Sequence, residues 1–211
     1  MGMHRDAINI EFDPIKHNIR RQVWWSIYSF ERILCSTLGQ STVIDDREMS
    51  MKIPDAPILE QKSMFAEFMT SAFEIVPMSY TIRQRAYFDS NTTEEQTPPV
   101  DMAKSLIREC NSFFQTIPPN VSLDYLPTIP PEKKARILLL HAHYYNTQCI
   151  ISRDFLVQNV GRNIAYLGEK PIHYTEELSK ILTLSEDCVE SAHQSIRCIM
   201  ESAHLGMIGY S

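Results

Sequence analysis

PIKHNIRRQVWWSIYSFERILCSTL, residues 14–38, sets Ile15, Ile19, Val23, Ile27, Phe30, Leu34 and Leu38 three or four positions apart. That spacing lines one face of an α-helix, and these residues are its expected inward face. Asp13 supplies a side-chain oxygen for the first free amides. Pro14 suits the first turn because its missing N–H had no partner to lose, and Gly39 takes the left-handed stop. About 25 residues make a rod of roughly 37 Å.

The same period recurs downstream. From Leu59 it continues through Phe65, Phe68, Met69, Ala72, Phe73 and Val76 until Pro77, which is expected to kink or end the helix, with Tyr80 to Phe88 as its continuation beyond the kink. Residues 90–99 lack apolar content and carry turn formers, so the main flexible linker is expected there. A third helix is expected from about Asp101 to Thr116, with Met102, Leu106, Ile107, Cys110, Phe113 and Phe114 inward, stopped by Pro118-Pro119. A fourth carries Ile137, Leu138, Leu140, Tyr144, Cys149, Ile150 and Ile151. A loop containing Gly161, Gly168 and Pro171 then leads to a closing helix, opened by Ser185 and Glu186, with Cys188, Val189, Ala192, Ile196, Ile199, Met200 and Ala203 as its apolar run. Alternating β-branched runs and hairpin dipeptides are absent, as are repeats at solenoid periods. The expected fold is all-α: an irregular multi-helix array of about five main helices, part of a larger helical domain.

Composition narrows the function. The chain has 211 residues, 44% hydrophobic and 22% charged, enough for one large core or two small ones. Its net charge of -6 argues against autonomous DNA binding, which needs several Lys or Arg side chains on one face to displace phosphate counterions. Five cysteines, odd in number and set inside apolar helical patterns, do not suggest a disulfide framework and point to a reducing compartment. No apolar run approaches the roughly 18 residues that span a bilayer, and no membrane partner is expected.

Candidate chemistry is sparse. His141 and His143, two apart on a helix, point away from each other and cannot share one metal. Cys188 with His193, and Cys198 with His204, have spacings that do not bring both side chains to one face. Asp45-Asp46-Arg47-Glu48 is similar to the aspartate-rich magnesium motif of helical terpene synthases, but the fifth residue is Met49 and no second motif follows. The ordinary reading is capping and ion pairing after the first helix, within reach of Arg32 if the chain doubles back. Six glycines leave little for a nucleotide cradle, and there is no G-x-S-x-G elbow, so catalytic residues and bound cofactors are assigned to none of the chain. Trp24, Trp25 and Tyr28 form an aromatic cluster suited either to core packing or to stacking on a ligand.

Arg20 to Arg32, with its tryptophan pair, Tyr28 and Glu31-Arg32, followed by Leu38-Gly39-Gln40 and Ile44-Asp45-Asp46, resembles the signature of the fungal-specific transcription factor domain. Phe113 to Pro119, Leu138 to Leu156 and Cys188 to His193 resemble later helices of that family in the same order. Glu31 stands where the family has Asp, Gln40-Ser41 where it has Arg-Pro, and Asp154 where it has Pro. Met1 to Asp6 is similar to the end of an earlier helix, so preceding helices and a six-cysteine zinc cluster are expected outside this chain.

The resemblance implies a nuclear regulator of RNA polymerase II transcription, in which zinc and DNA are bound only through that absent cluster. It implies Arg21, Trp24, Trp25, Tyr28, Glu31, Arg32, Gly39, Asp45 and Asp46 as structural or regulatory signature residues. Expected partners are transcription machinery or regulator proteins, and a homodimer or heterodimer. An effector groove near Trp24, Tyr28 and His141 is a further expectation, and an isolated fragment is expected to be marginally stable.

Overall fold

A computed structural model describes residues 13–38, 40–52, 64–87, 99–165 and 175–205. Every regular element among them is helical. Helix α1, Pro14–Leu38, starts as its sequence dictates: the Asp13 carboxylate accepts from the Ile15 amide at 3.1 Å, and the Asp13 carbonyl takes the first intrahelical bond from His17. Gly39 lies outside the described residues.

The inward face of α1 is not the expected one. Ile15, Ile19, Val23, Ile27, Phe30 and Leu34 are all exposed, Phe30 to 62%. The buried residues are Trp25, Tyr28, Arg32 and Cys35, spaced by three, four and three. Periodicity identifies an apolar stripe but not what covers it, and here the following segment covers the aromatic stripe instead.

The chain divides into two compact units, Met1–Tyr80 with Pro118–Ser122, and Thr81–Ile117 with Leu123–Ser211. The boundary falls within α2, Met64–Tyr87, which runs through Pro77 without ending. In the first unit, α2 buries Ser71, Ile75, Val76, Ser79 and Tyr80. Leu59, Phe88 and residues 90–98 of the expected linker lie outside the described residues, as do the side chains of Phe65, Phe68, Met69 and Phe73.

The second unit contains α3, Val100–Phe114, then a 3-10 stretch, Leu123–Thr128, then α4, Pro131–Ala165, and α5, Glu176–His204. On α3 the buried residues are Ala103, Leu106 and Cys110, whereas Met102 faces out and Phe113 and Phe114 are half-buried. Gly161, expected in a loop, sits inside α4, whereas Gly168 and Pro171 are not among the described residues. Helix α5 begins well before Ser185, at the Thr175 cap, whose hydroxyl accepts from the Leu178 amide.

The expected face of α5 is also corrected. Val189, Ile196, Ile199 and Met200 are exposed, and the buried line is Ile181, Leu184, Cys188, Ser191, Ser195, Cys198 and Ser202, alternating by three and four. That is a heptad seam, and it lies antiparallel on α4. Ser202 Oγ donates to the Ala135 carbonyl at 3.3 Å, Ser195 Oγ to the Ala142 carbonyl at 3.2 Å, and Ser185 Oγ to the Phe155 carbonyl at 3.0 Å. Between them the Cys188 and Cys149 thiols each point at the other residue's carbonyl. Each step of seven down α5 meets a step of seven back along α4. Small side chains let the two backbones approach, and each hydroxyl is satisfied by the second lone pair of a carbonyl already bonded in its helix. Leu138, Ala142 and Cys198 close one end of this seam, with Leu123, Leu126, Tyr145 and Leu205 around them.

Candidate functional site

The chain leaving α1 doubles back along it, and the two are clasped by side chains from the buried stripe. Nearest the turn, the Cys35 thiol donates to the Ser41 carbonyl at 3.5 Å. One turn earlier, Glu31 Oε1 accepts from the Val43 and Ile44 amides at 2.6 and 3.3 Å, and Arg32 Nη2 donates to the Ile44 carbonyl at 2.9 Å and to Asp46 Oδ1. The Tyr28 hydroxyl donates to the same Asp46 oxygen at 2.8 Å. Further back, Trp25 Nε1 donates to the Lys52 carbonyl at 2.9 Å. Partners rise in number from 41 to 52 as the helix residues fall from 35 to 25, so the clasp is an antiparallel pairing of a helix with an extended strap.

Arg32 is its centre. The residue is 1% exposed, and its guanidinium lies over the Tyr28 ring at 4.6 Å and the Tyr80 ring at 4.7 Å. A buried charge is tolerated when paired, and here two ring faces and the Ile44 carbonyl and Asp46 carboxylate on Nη2 supply the partners, with Glu31 Oε2 3.5 Å from Nη1. Burial, with the carboxylate of Asp46 accepting the phenol's hydrogen bond, pushes Tyr28 up to about 12, so it stays protonated as a donor. Trp25 packs edge-on to Tyr28 at 5.3 Å and shares a core with Met51, against which Trp24, Ile44 and Met49 pack.

The neighbouring carboxylates turn to different partners. Asp45 accepts from the Arg47 amide and caps the short turn Asp46–Glu48, and its ion pair with the Arg47 guanidinium holds it down at about 2. Asp46 turns to Tyr28 and Arg32. The two aspartates therefore act as cap and counter-ion, as the doubling back of the chain requires. Among the described residues no three His, Cys, Asp or Glu side chains converge on a point that could hold a metal ion.

The structure thus gathers Trp25, Tyr28, Glu31, Arg32, Asp45 and Asp46 into one arrangement, with Trp24 packed at its edge and Arg21 half-buried on the same helix. His141 belongs to the other compact unit, where it is 3% exposed and meets the Phe114 ring edge-on at 4.7 Å. His193 and His204 are exposed while Cys188 and Cys198 are buried, so neither pair meets.

Two features carry no strong sequence signal. Tyr80 completes the stack on Arg32 from α2, remote in sequence. In the second unit, the Tyr144 hydroxyl donates to Asn111 Oδ1 at 2.7 Å, the Gln148 amide donates to the Asn111 oxygen and to the Tyr144 oxygen, and Ser191 Oγ donates to Gln148 Oε1 at 3.0 Å. Asn111, Gln148 and Ser191 of this network also line a cavity of about 210 Å³, with Ser152 and Asp187 among its other walls.

Comparison with known proteins gives the following. A family model described as the fungal specific transcription factor domain matches residues 1–111. An uncharacterised transcriptional regulatory protein of Schizosaccharomyces pombe is 22% identical over 94% of this chain and 24% of its own length. An ABC-transporter-regulating transcription factor of Aspergillus oryzae is 23% identical over 97% of the chain and 24% of its own length. The transcription factor FBD3 of Gibberella moniliformis is 20% identical over 93% of the chain and 28% of its own length. The chain thus spans about a quarter of the length of these curated relatives. No solved structure matches it.

Proposed function

The chain belongs to the fungal specific transcription factor domain family, and from that premise we propose that it is regulatory material of a zinc-cluster transcription factor. In this reading it acts in the nucleus on RNA polymerase II transcription and gates activation through contacts with regulator proteins or an effector. DNA reading and zinc belong to a cluster outside this chain, and the chain itself catalyses nothing. The carrying observation is that transcriptional regulators match 93% or more of the chain while the family signature folds into the Arg32 clasp.

The physical case rests on charge and on what the clasp does. A net charge of -6 repels a polyanion, so sequence reading must come from elsewhere. The hydrogen bonds of the clasp fix a strap against a helix, which is the work of a scaffold. Gating requires two packings with different partner affinity, and helices joined by a strap of this kind supply an element that a partner can bias. The decisive experiment fuses the chain to an unrelated DNA-binding domain and measures a reporter carrying that domain's site. Expression should change relative to the DNA-binding domain alone, and Trp24→Ala should alter the response. Duplex binding by the purified chain at physiological salt, or a fusion that is folded yet inert under every growth condition tried, overturns the proposal.

A further inference from the structure

The α4–α5 seam is built mainly from hydroxyls bonded to carbonyls, and one rung differs. At its middle, Cys149 Sγ donates to the Cys188 carbonyl at 3.7 Å and Cys188 Sγ to the Cys149 carbonyl at 3.9 Å. Each thiol thus reaches across to the other residue's backbone. Thiols that each lie this close to the other residue's carbonyl can be brought to the roughly 2 Å disulfide bond by side-chain rotation.

The other cysteines lack this arrangement. Cys35 is buried against the Ser41 carbonyl, and burial pushes Cys110 up to about 12, the setting of an inert thiol. In the pair, the neighbouring Cys149 thiol lowers the proton affinity of Cys188, while Cys149 moves the opposite way. Gln148 and Asp187, the chain neighbours of Cys149 and Cys188, line the cavity of about 210 Å³ together with Ser152 and Ser191. That volume exceeds the roughly 30 Å³ share of one water molecule several times over, so a small polar oxidant fits.

We propose that Cys149 and Cys188 are an oxidation site, a dithiol that a hydroperoxide converts to a disulfide across the α4–α5 seam. The Cys188 thiolate attacks one peroxide oxygen, the O–O bond breaks, and the departing oxygen leaves as water with the proton given up by Cys188. Cys188 then carries a sulfenic acid. The Cys149 sulfur attacks the Cys188 sulfur, the S–O bond breaks, and a second water leaves with the Cys149 proton. Two thiols lose two electrons and hydrogen peroxide gains them. The bond joins two helices at the centre of their contact and fixes their register, a modification independent of the function proposed above.

The test treats the whole chain with hydrogen peroxide under native conditions, then titrates thiols and maps peptides without reduction. Two of the five thiols should disappear, a peptide pair linking Cys149 to Cys188 should form, and dithiothreitol should restore both. The oxidised form should melt about 5–15 °C higher, as a long closed loop predicts. Cys149→Ser and Cys188→Ser, conservative in a seam already rich in serine, should each abolish the linked peptide. The proposal is overturned if wild-type chain keeps all its thiols at a dose that oxidises a free dithiol. Oxidation that ends as sulfinic or sulfonic acid on separate cysteines, or links made equally among Cys35, Cys110 and Cys198, overturns it too.

Discussion

Replacing Arg32 with alanine tests whether the clasp holds the first unit together. The residue is 1% exposed and gives up contacts with two aromatic faces, at 4.6 and 4.7 Å, when truncated. Each desolvated ring contact contributes about 1 kcal/mol. The hydrogen bond from a charged donor to the Ile44 carbonyl adds about 1.5 kcal/mol. The side chain of Asp46 is 55% exposed and regains water, so its loss of partner adds little. With the space left between the two rings, the cost is about 4 kcal/mol, within the range for breaking a buried charge pair. Arg32→Met keeps the volume and should lose only about 2 kcal/mol. Arg32→Lys keeps the charge but not the planar fork, and should fall near the methionine variant.

The assay is urea unfolding followed by tryptophan fluorescence. Both tryptophans, Trp24 and Trp25, belong to this unit, so the signal reports its transition and not that of the second unit. For a slope of about 1.5 kcal/mol/M, a loss of about 4 kcal/mol lowers the midpoint by about 2.7 M. A midpoint for Arg32→Ala within 0.3 M of wild type refutes the reasoning, and so does an order in which methionine is worse than alanine.

Other outcomes follow from the second unit. Ser195→Leu forces a large side chain into a seam spaced for serine and should destabilise by about 1–3 kcal/mol, whereas Ser195→Ala should cost about 0.5 kcal/mol, both read from helical circular dichroism on heating. Gly161 lies in α4 with open space where a Cβ would stand, so Gly161→Ala should stabilise by about 0.5–1 kcal/mol in the same measurement. Burial pushes His143 from its ordinary 6.5 down to about 4, with Nε2 enclosed and unpartnered among the described residues. The unfolded chain takes up that proton first as pH falls. The group's contribution is therefore complete above pH 6.5 and declines toward pH 4, with a slope of up to about 1.4 kcal/mol per pH unit. His143→Gln should flatten that slope in a pH series of melts, and an unchanged slope would exclude His143 as its source.

The start of α1 and one pairing of the clasp are legible in the sequence. Asp13 and Pro14 fix where α1 starts because their effects are local: a side-chain oxygen two residues from a free amide, and a ring that needs no donor. The expectation that Asp45 and Asp46 cap and pair with Arg32 also held, because a chain that doubles back puts both within reach. The missed boundaries have equally local causes. The helix continues past Pro77 toward Tyr87, one of the two outcomes that its sequence allows, whereas Gly161 reads as a loop residue and α4 runs through it, since a single unfavourable residue costs less than a long helix packed along its length regains.

The sequence by itself determined that the chain is helical, where α1 begins, and that a chain doubling back brings the aspartates at 45 and 46 within reach of Arg32. Only the tertiary structure decided which faces are covered. On α1 an apolar stripe as regular as any in the chain stays outside, because the strap brings hydrogen-bond partners to the aromatic and charged stripe beside it. On α5 serines and cysteines are inside, because only small side chains let two backbones come close enough for hydroxyls to reach carbonyls across the seam. Apolar spacing is a property of one helix, whereas burial belongs to a pair of surfaces, and the second surface lies far away in sequence.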